Sequence, residues 1–490
     1  MLSIHLQKGN FFRKILLLTI SAILFSFSCS KDAPQSPRND TTQITILYTN
    51  DEHGWMENSE NHSGADGLMA IWKENDGYSE SGPFLILSGG DMWTGPAIST
   101  WFQGESMAEV FNALNYDAAA IGNHEFDFKI EGLKDRVEQS DFPFLSANIR
   151  EKTSGAIPDF IEPYVIFQID SIEIGVIGIT TTSTPYTTFP DHVADYDFIP
   201  YETALRESVP QVKSEGADLL IVIGHICSDE MHRLVPLAKE LDIALITGGH
   251  CRQLVSSVVE GVGLVKTSAY LEFYGKVEIQ FDRKTNSVSE MEIDILPNIT
   301  TSRDAGISAI IDYWKNRMDA ALSKVIGYTN SGIERESPQM ENLVMDSWLV
   351  SFPMADAAMS NAGGIRQSIP VGDITLETIV GLLPFENQII ELKMSGAEIQ
   401  QWAGNFIHAG LRGNNPYTFA DSTVIRNNEM YSVLTTDYLY SRDDRPFQSI
   451  DANPYNTSVN YRQPVIDWIQ SLNTSSSDPL ENYLDPKDRK

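Results

Sequence analysis

Six side chains that can bind metal ions follow short apolar runs in this sequence. The runs are residues 44–48, 84–87, 118–121, 219–223 and 243–246, and the side chains after them are Asp51, His53, Asp91, Asn123, His225 and His250. Mixed carboxylate, imidazole and amide ligands suit Zn, Mn, Co or Fe better than Ca or Mg. Because a single catalytic zinc takes three protein ligands, this set predicts two divalent ions with one bridging carboxylate. Each side chain alone fits a helix cap or a satisfied polar residue, but the repeated placement favours a metal centre.

The apolar runs are typical of buried strands. Helix-like stretches lie between them, at residues 103–115, 129–139 and 228–240. This alternation predicts an α/β fold. Ligands of such sheets bind beyond the carboxyl ends of the strands, which is where the six side chains stand.

Length and charge restrict the function classes. A chain of 490 residues exceeds the usual size of one core, so two domains are expected. The net charge of −32 disfavours binding to nucleic acid polymers and to anionic membrane surfaces. A small anionic substrate requires local positive charge, which bound metal ions supply.

The N-terminus resembles a targeting segment. Arg13 and Lys14 precede an apolar run at residues 15–27 that is too short to span a bilayer. We interpret residues 1–28 as a signal peptide, Cys29 as a lipid-acylated residue and residues 29–42 as a polar tether. The alternative is a plain secretory signal in which Cys29 has no role.

Several short motifs resemble those of a known family. They are TNDEHG at 49–54, GD at 90–91, GNHEFD at 122–127, and GH at both 224–225 and 249–250. These are similar to the motifs of calcineurin-like metallophosphoesterases, in the forms found in the bacterial and ecto-5'-nucleotidase family. The resemblance covers nearly all of residues 43–475. It implies an α/β fold with a β-sandwich core flanked by helices (α/β/β/α), plus a smaller α+β nucleotide-binding C-terminal domain.

The resemblance also implies domain boundaries and residue roles. The metallophosphoesterase domain would cover residues 43–300, an interdomain helix 301–327, and the C-terminal domain 328–490. Asp51 and His53 would hold one metal, Asn123, His225 and His250 the other, and Asp91 would bridge them. His124 and Asp127 resemble the family's catalytic dyad. As a cation, His124 can reach the phosphoryl oxygens while Asp127 holds its ring.

The second half carries further family-like motifs: NAGGIR at 361–366, LPFEN at 383–387 and YSVLTTDY at 431–438. By resemblance Phe385 and Tyr438 would sandwich a base, and Asp444 would contact the ribose. Asn361 and Arg366 would bind polar groups of the substrate. The alternative is that Phe385 and Tyr438 are core aromatic residues.

Two features depart from the family pattern. The family has His-x-Gln or His-x-His after the last metal histidine, and the second residue of that motif binds metal. Here Arg252 occupies that position and Gln253 follows it. Either Gln253 completes the site or Arg252 contacts phosphate. Cys227 and Cys251 each lie within two residues of a proposed metal histidine. Either they are two small buried residues or they form a disulfide. Direct thiolate ligation of a metal is the least expected role.

Together these features predict hydrolysis of nucleotide phosphate esters, in particular of a nucleoside 5'-monophosphate, by an exported lipoprotein of the outer membrane or cell surface. A periplasmic location is the alternative. One alternative function is a 2',3'-cyclic-nucleotide phosphodiesterase with 3'-nucleotidase activity, or a nucleotide-sugar pyrophosphatase. Another is a catalytically silent surface-binding lipoprotein.

Overall fold

The computed structural model describes residues 40–414 and 416–489. The predicted signal peptide and the proposed acylation site at Cys29 lie outside the described residues. The first strand begins at Thr41, so the last two residues of the predicted tether belong to it. Within the part of the chain that the structure describes, no helix combines the length and apolarity needed to cross a bilayer.

Strands of the first half form two sheets that pack face to face. They are β1 Thr41–Thr49, β2 Phe84–Ser88, β3 Ala118–Ala120, β4 Phe144–Leu145, β5 Ile149–Glu151, β6 Tyr164–Ile169, β7 Ile172–Thr180, β8 Tyr196–Phe198, β9 Leu219–His225, β10 Ile243–Thr247, β11 Leu254–Val259, β12 Val262–Thr267, β13 Phe273–Asp282 and β14 Ser287–Pro297. Among the described residues, one six-stranded sheet has the order β14-β13-β1-β2-β3-β4 and the other β11-β12-β10-β9-β7-β6. The short strands β5 and β8 pair with each other.

Parallel pairing brings the predicted ligands to one edge of each sheet. In the first sheet Thr49 is paired with Ser88 and Ser88 with Ala119, so β1, β2 and β3 end side by side. In the second sheet β9 runs parallel to both β7 and β10. Apolar side chains from both sheets fill the space between them, including Ile46, Leu87, Ile174, Ile221 and Val277. The predicted buried strands are therefore confirmed as the inner layers of a sandwich.

Helices cover the outer faces of both sheets. The helices of this half are α1 Gly64–Glu74, α2 Ala97–Thr100, α3 Glu105–Ala113, α4 Lys129–Gln139, α5 Thr184–Thr187, α6 Tyr201–Ser214 and α7 Ser228–Leu241. The α1, α3 and α4 helices pack on the first sheet, and α6 and α7 pack on the second. Short 3₁₀ turns occur at His124–Phe126, Pro190–Val193, Ala362–Gly364, Ala403–Asn405 and Leu480–Tyr483. The α/β/β/α layering is confirmed.

A single helix, α8 Ala305–Leu322, leads from the first half to the second. Its N-cap is Asp304, whose carboxylate accepts hydrogen bonds from the backbone N–H groups of Gly306 and Ile307. One apolar face of this helix is buried against the helices of the first sheet, where Trp314 Nε1 also donates to Glu109 at 2.7 Å. A helix thus occupies residues 305–322 of the predicted segment 301–327.

The second half is built on a mixed sheet. Its strands are β15 Val325–Thr329, β16 Ala357–Ser360, β17 Gly372–Thr375, β18 Gln388–Ser395, β19 Ile407–Ala409, β20 Leu411–Arg412, β21 Thr418–Phe419, β22 Met430–Thr436 and β23 Tyr455–Asn460. Its helices are α9 Pro338–Ser351, α10 Leu376–Leu382, α11 Gly396–Trp402, α12 Asp437–Ser441, α13 Phe447–Ile450 and α14 Gln463–Leu472. In this part of the described chain, the largest sheet has five strands in the order β19-β16-β22-β18-β23. Both halves belong to one compact unit that begins at Thr41, so the domain boundaries at 300 and 327 stay predictions.

Candidate active site

A cavity of about 1080 Å³ lies between the strand ends of the first half and the second half of the chain. Predicted site residues that line it are Asp51, His53, Asp91, Asn123, His124, Asp127, His250, Asn361, Arg366, Phe385 and Tyr438. His225 is fully buried directly behind Asp91, with its Nε2 3.0 Å from Asp91 Oδ2. Of the predicted site residues, Asp444 alone is neither on the cavity wall nor behind it. The fold therefore brings together residues up to 387 positions apart in the sequence.

At the cavity, potential metal ligands form two groups that share Asp91. Within the described residues, ligand atoms of His53, Asp91 and His124 lie within 4.8 Å of one another, as do those of Asp91, His225 and His250. The Nε2 atom of His53 is 3.9 Å from both Asp91 Oδ2 and Asp51 Oδ1. The central position of Asp91 is the one that a bridging carboxylate requires.

Hydrogen bonds orient these side chains with a ligand atom left free. The Nδ1 atoms of His53 and His225 lie 3.0 and 2.8 Å from the carbonyl oxygens of Thr94 and Gly89, which leaves each Nε2 for a metal. Asn123 donates its Nδ2 to a backbone carbonyl at 3.1 Å. Its buried Oδ1 has no hydrogen-bond partner among the described residues. An unpartnered buried amide oxygen is costly unless a cation binds it, so the donor set fits metal ions.

The backbone at the site is in an uncommon conformation. Asp51, His53, Asp91 and His250 have φ values of 52°, 48°, 60° and 68°, in the left-handed region. Such conformations cost about 1–3 kcal/mol each and concentrate at functional sites. At Gly249 an added Cβ would lie only 2.7 Å from His225 Nδ1, so glycine is needed for the close approach of the two loops.

Burial and neighbouring charges shift the pKa values of the cluster in opposite directions. Burial would raise the pKa of Asp91, but His225 and His124 outweigh it and hold that pKa well below its ordinary value. Burial would lower the pKa of His225, but the Asp91 carboxylate raises it to about 9. Burial is also the main reason that the pKa of Asp51 is raised. Bound metal ions would supply positive charge to these carboxylates and would require the ligand histidines to be neutral.

Glu125, a residue with no role predicted from the sequence, supports the site from behind. Its buried carboxylate accepts hydrogen bonds from the backbone N–H groups of Gly122, Asp91 and Met92, at 2.6, 2.8 and 2.8 Å. Burial raises its pKa to about 7. Glu125 lies inside the GNHEFD motif, but the motif alone did not predict this supporting function.

His124 and Asp127 form a hydrogen-bonded pair on the cavity wall. The His124 Nδ1 to Asp127 Oδ2 distance is 2.7 Å, and Thr188 Oγ1 donates to the other oxygen of Asp127 at 3.2 Å. The backbone N–H of His124 donates to Asp91 at 2.8 Å. Burial opposes protonation of His124, but Asp127 and Asp91 raise its pKa. This geometry favours an imidazolium whose Nε2 is available to a ligand.

Two residues of the second half approach this pair. The Phe385 ring lies 5.7 Å from the His124 ring at an interplanar angle of 23°. The Arg366 guanidinium lies 5.8 Å from the centre of the Phe385 ring. The ring that was predicted to bind a base is thus adjacent to the predicted catalytic histidine.

Tyr438 lines the cavity, whereas Asp444 does not. The Tyr438 hydroxyl donates to the carbonyl of Tyr186 at 3.2 Å, so it connects the two halves of the chain, and it accepts from Arg442 at 2.8 Å. Both carboxylate oxygens of Asp444 bind the same Arg442, each at 2.7 Å. Arg442 lines the cavity in place of Asp444. In this conformation the guanidinium, rather than the predicted carboxylate, faces the ligand space.

The loops after β9 and β10 carry the two cysteines together with Arg252 and Gln253. Cys227 and Cys251 form a disulfide. The Gln253 side chain is turned away from the cavity, where its Oε1 accepts from Ser228 Oγ at 2.5 Å. Arg252 lines the cavity. The idea that Gln253 supplies a metal ligand finds no support in this geometry.

Other cavity residues had no recognisable signal in the sequence. They include Tyr186, Phe189, His192 and Arg335. Their positions depend on loop conformation, which neither spacing nor periodicity encodes.

Comparison with known proteins agrees with the geometry. Residues 44–251 match the family model of calcineurin-like phosphoesterases, and residues 320–418 match that of the 5'-nucleotidase C-terminal domain. The chain is 29% identical to a 5'-nucleotidase of Vibrio cholerae, with 80% of this chain and 81% of that protein covered. It is 27% identical to protein UshA of Escherichia coli, with 77% and 79% covered.

Solved structures share the fold. A 5'-nucleotidase precursor from Thermus thermophilus superposes with a TM-score of 0.75 at 20% identity, covering 91% of this chain and 99% of that one. A 5'-nucleotidase from Candida albicans superposes with a TM-score of 0.67 at 15% identity, covering 87% and 98%. The two family models match the segments that carry the metal-ligand cluster and the first aromatic wall residue, Phe385. The chain therefore combines a calcineurin-like phosphoesterase segment with a 5'-nucleotidase C-terminal segment, as a metal-dependent phosphoric ester hydrolase similar to the 5'-nucleotidases.

Proposed function

We propose that this protein hydrolyses nucleoside 5'-monophosphates to nucleoside and phosphate at a centre of two divalent metal ions. The observation that carries the proposal is the shared cavity, in which the ligand cluster around Asp91 faces Phe385 and Tyr438. A phosphate and a base on one substrate can reach both walls at once. The relatives that are named as 5'-nucleotidases support the same substrate class.

The metal ligands are proposed to divide into two sets. Asp51 and His53 hold one ion, Asn123, His225 and His250 hold the other, and Asp91 lies between them. When bound, the two ions supply Lewis acidity to the phosphoryl group and activate water. We favour Zn, Mn, Co or Fe because the donors include three imidazoles.

His124 is proposed to stabilise charge on the phosphoryl group. Its Nδ1 is 2.7 Å from Asp127, so the proton on Nε2 can point to a phosphoryl oxygen. Asp127 keeps the ring in that orientation and favours its cationic form. Thr188 holds Asp127 in turn.

Phe385 and Tyr438 are proposed to bind the base, and Asn361 and Arg366 the polar groups of the substrate. Interactions with the non-reacting base position the phosphate and contribute to the rate. The proposed contact of Asp444 with the ribose requires that its two bonds to Arg442 be broken. Arg442 is the better candidate for this contact because it already lines the cavity.

The reaction is proposed to take place outside the cytoplasm, with the protein anchored to a membrane through Cys29. The Cys227–Cys251 disulfide supports export because such bonds persist in oxidising compartments. Mass spectrometry of protein extracted from its native membrane would test the anchor. Unmodified Cys29 in the mature chain would exclude it.

A substrate panel tests the function. Metal-loaded protein starting at residue 40 is assayed for phosphate release from AMP, UMP, 2',3'-cyclic AMP, UDP-glucose and p-nitrophenyl phosphate. We expect the highest kcat/KM with a 5'-monophosphate. Preference for the cyclic nucleotide or the nucleotide sugar would replace the monophosphate assignment, and no turnover of any substrate would favour a silent binding protein.

A further inference from the structure

Three arginines without carboxylate partners line the cavity. They are Arg252, Arg335 and Arg366. Within the described ranges 40–414 and 416–489, none of their guanidinium groups forms an ion pair with a carboxylate within 4.0 Å. The chain carries 67 acidic residues against 35 lysines and arginines, so partners are abundant. Unpaired guanidinium groups around one cavity indicate that an anion binds there.

Arg252 is held in place by an aromatic platform. Its guanidinium carbon lies 4.4 Å from the centre of the Tyr270 ring. The same ring lies 5.7 Å from the ring of His53, so the guanidinium is on the Asp51–His53 side of the centre. A stacked guanidinium keeps its in-plane N–H groups free for a planar or tetrahedral oxyanion.

The backbone that carries the platform is strained. Ser268, Tyr270 and Leu271 have φ values of 70°, 63° and 57°. The backbone N–H of Tyr270 donates to the carbonyl of Asp51 at 2.8 Å, which couples the platform to a predicted metal ligand. Strain of this kind persists where the surrounding structure requires one side-chain position.

Arg252 cannot take the role of the glutamine or histidine that the family motif places there. A guanidinium stays protonated and has no lone pair for a metal. Gln253 does not replace it, because Gln253 binds Ser228 outside the cavity. A cation therefore stands where the family has a ligand.

We propose that Arg252 is a substrate-binding residue that holds a phosphate group beside the Asp51–His53 side of the centre, on the Tyr270 platform. This rests on the proposed phosphate-ester hydrolysis and adds a residue that the family pattern does not contain. The phosphate is either the group that is transferred or one next to it in a diphosphate. The site on the Asp51–His53 side then has one protein ligand fewer than the family motif implies.

The test uses the metal-loaded enzyme and Arg252→Met, which keeps an unbranched side chain on Tyr270 but removes the charge. We expect the inhibition constant of inorganic phosphate, read with p-nitrophenyl phosphate, to rise about 10- to 100-fold. Metal content should be unchanged, and Arg252→Lys should recover part of the affinity. Arg233→Met is the matched control, since Arg233 is an exposed arginine paired with Asp229 at 2.7 Å on the surface.

A comparison of AMP with ADP shows which phosphate group Arg252 contacts. A rise in KM for both AMP and ADP assigns Arg252 to the transferred group, and a rise for ADP alone assigns it to the neighbouring one. Tyr270→Leu should weaken phosphate inhibition in the same direction. The proposal is overturned if Arg252→Met leaves phosphate inhibition and both KM values unchanged, or if its only effect is loss of metal. Because inhibition is read with an aryl phosphate, this result stands even if no nucleotide proves to be a substrate.

Discussion

The two aromatic walls of the cavity allow the nucleotide assignment to be tested by removing one ring. Tyr438 is the better target, because Phe385 also stacks on His124 at 5.7 Å and its loss would disturb the chemistry directly. Removing one stacked face costs about 1–3 kcal/mol on the scale for single-stranded bases. At 1.36 kcal/mol for each tenfold change, Tyr438→Ala should lower kcat/KM for AMP about 5- to 150-fold.

The hydroxyl of Tyr438 must be separated from its ring. It connects to Tyr186 and Arg442, so a Tyr438→Phe control keeps the stacking face and loses only these bonds, at about 0.5–1.5 kcal/mol each. Hydrolysis of p-nitrophenyl phosphate should hardly change in Tyr438→Ala. Equal losses on both substrates would identify a structural tyrosine, and no loss on AMP would remove Tyr438 from base binding.

Further predictions concern the metal centre and its supports. EDTA should abolish hydrolysis and Mn or Co should restore it, whereas full activity in rigorously metal-free protein would refute the proposed centre. His124→Ala should lower kcat by ~10²–10⁴ at unchanged metal content, and an unchanged kcat would exclude the residue from the mechanism. Glu125→Ala leaves three buried N–H groups without an acceptor and should reduce the free energy of unfolding by about 3 kcal/mol or more in urea titrations; a value within 1 kcal/mol of wild type would contradict its supporting role. Reduction of the Cys227–Cys251 bond should lower stability by about 3 kcal/mol, and the Cys227→Ser/Cys251→Ser variant should not respond to reductant.

The residues that sequence could identify were those whose positions follow from strand order. Asp51, Asp91 and Asn123 come after parallel strands of one sheet, so the end of each strand fixes their neighbourhood. Tyr270 could not be found in this way, because it acts through a left-handed loop conformation with no pattern of its own.

Two other outcomes depended on side-chain geometry. The disulfide was one of three options for Cys227 and Cys251, since sequence gives no distance between the two loops. Asp444 was expected at the substrate, but it pairs with Arg442 two residues away. Local charge pairs of this kind compete with a ligand contact and are invisible in a motif match.

The predicted metal ligands follow strands of both sheets in the sandwich, with Asp51, Asp91 and Asn123 from one and His225 and His250 from the other. Ions bound between them would join the two layers of the sandwich at this edge. Metal binding and folding should then be thermodynamically linked, with a stabilisation of about 4 kcal/mol when free metal is 1,000 times its dissociation constant. The melting temperature of this protein would thus depend on metal concentration, and metal scarcity would shorten the lifetime of the folded chain as well as reduce its turnover.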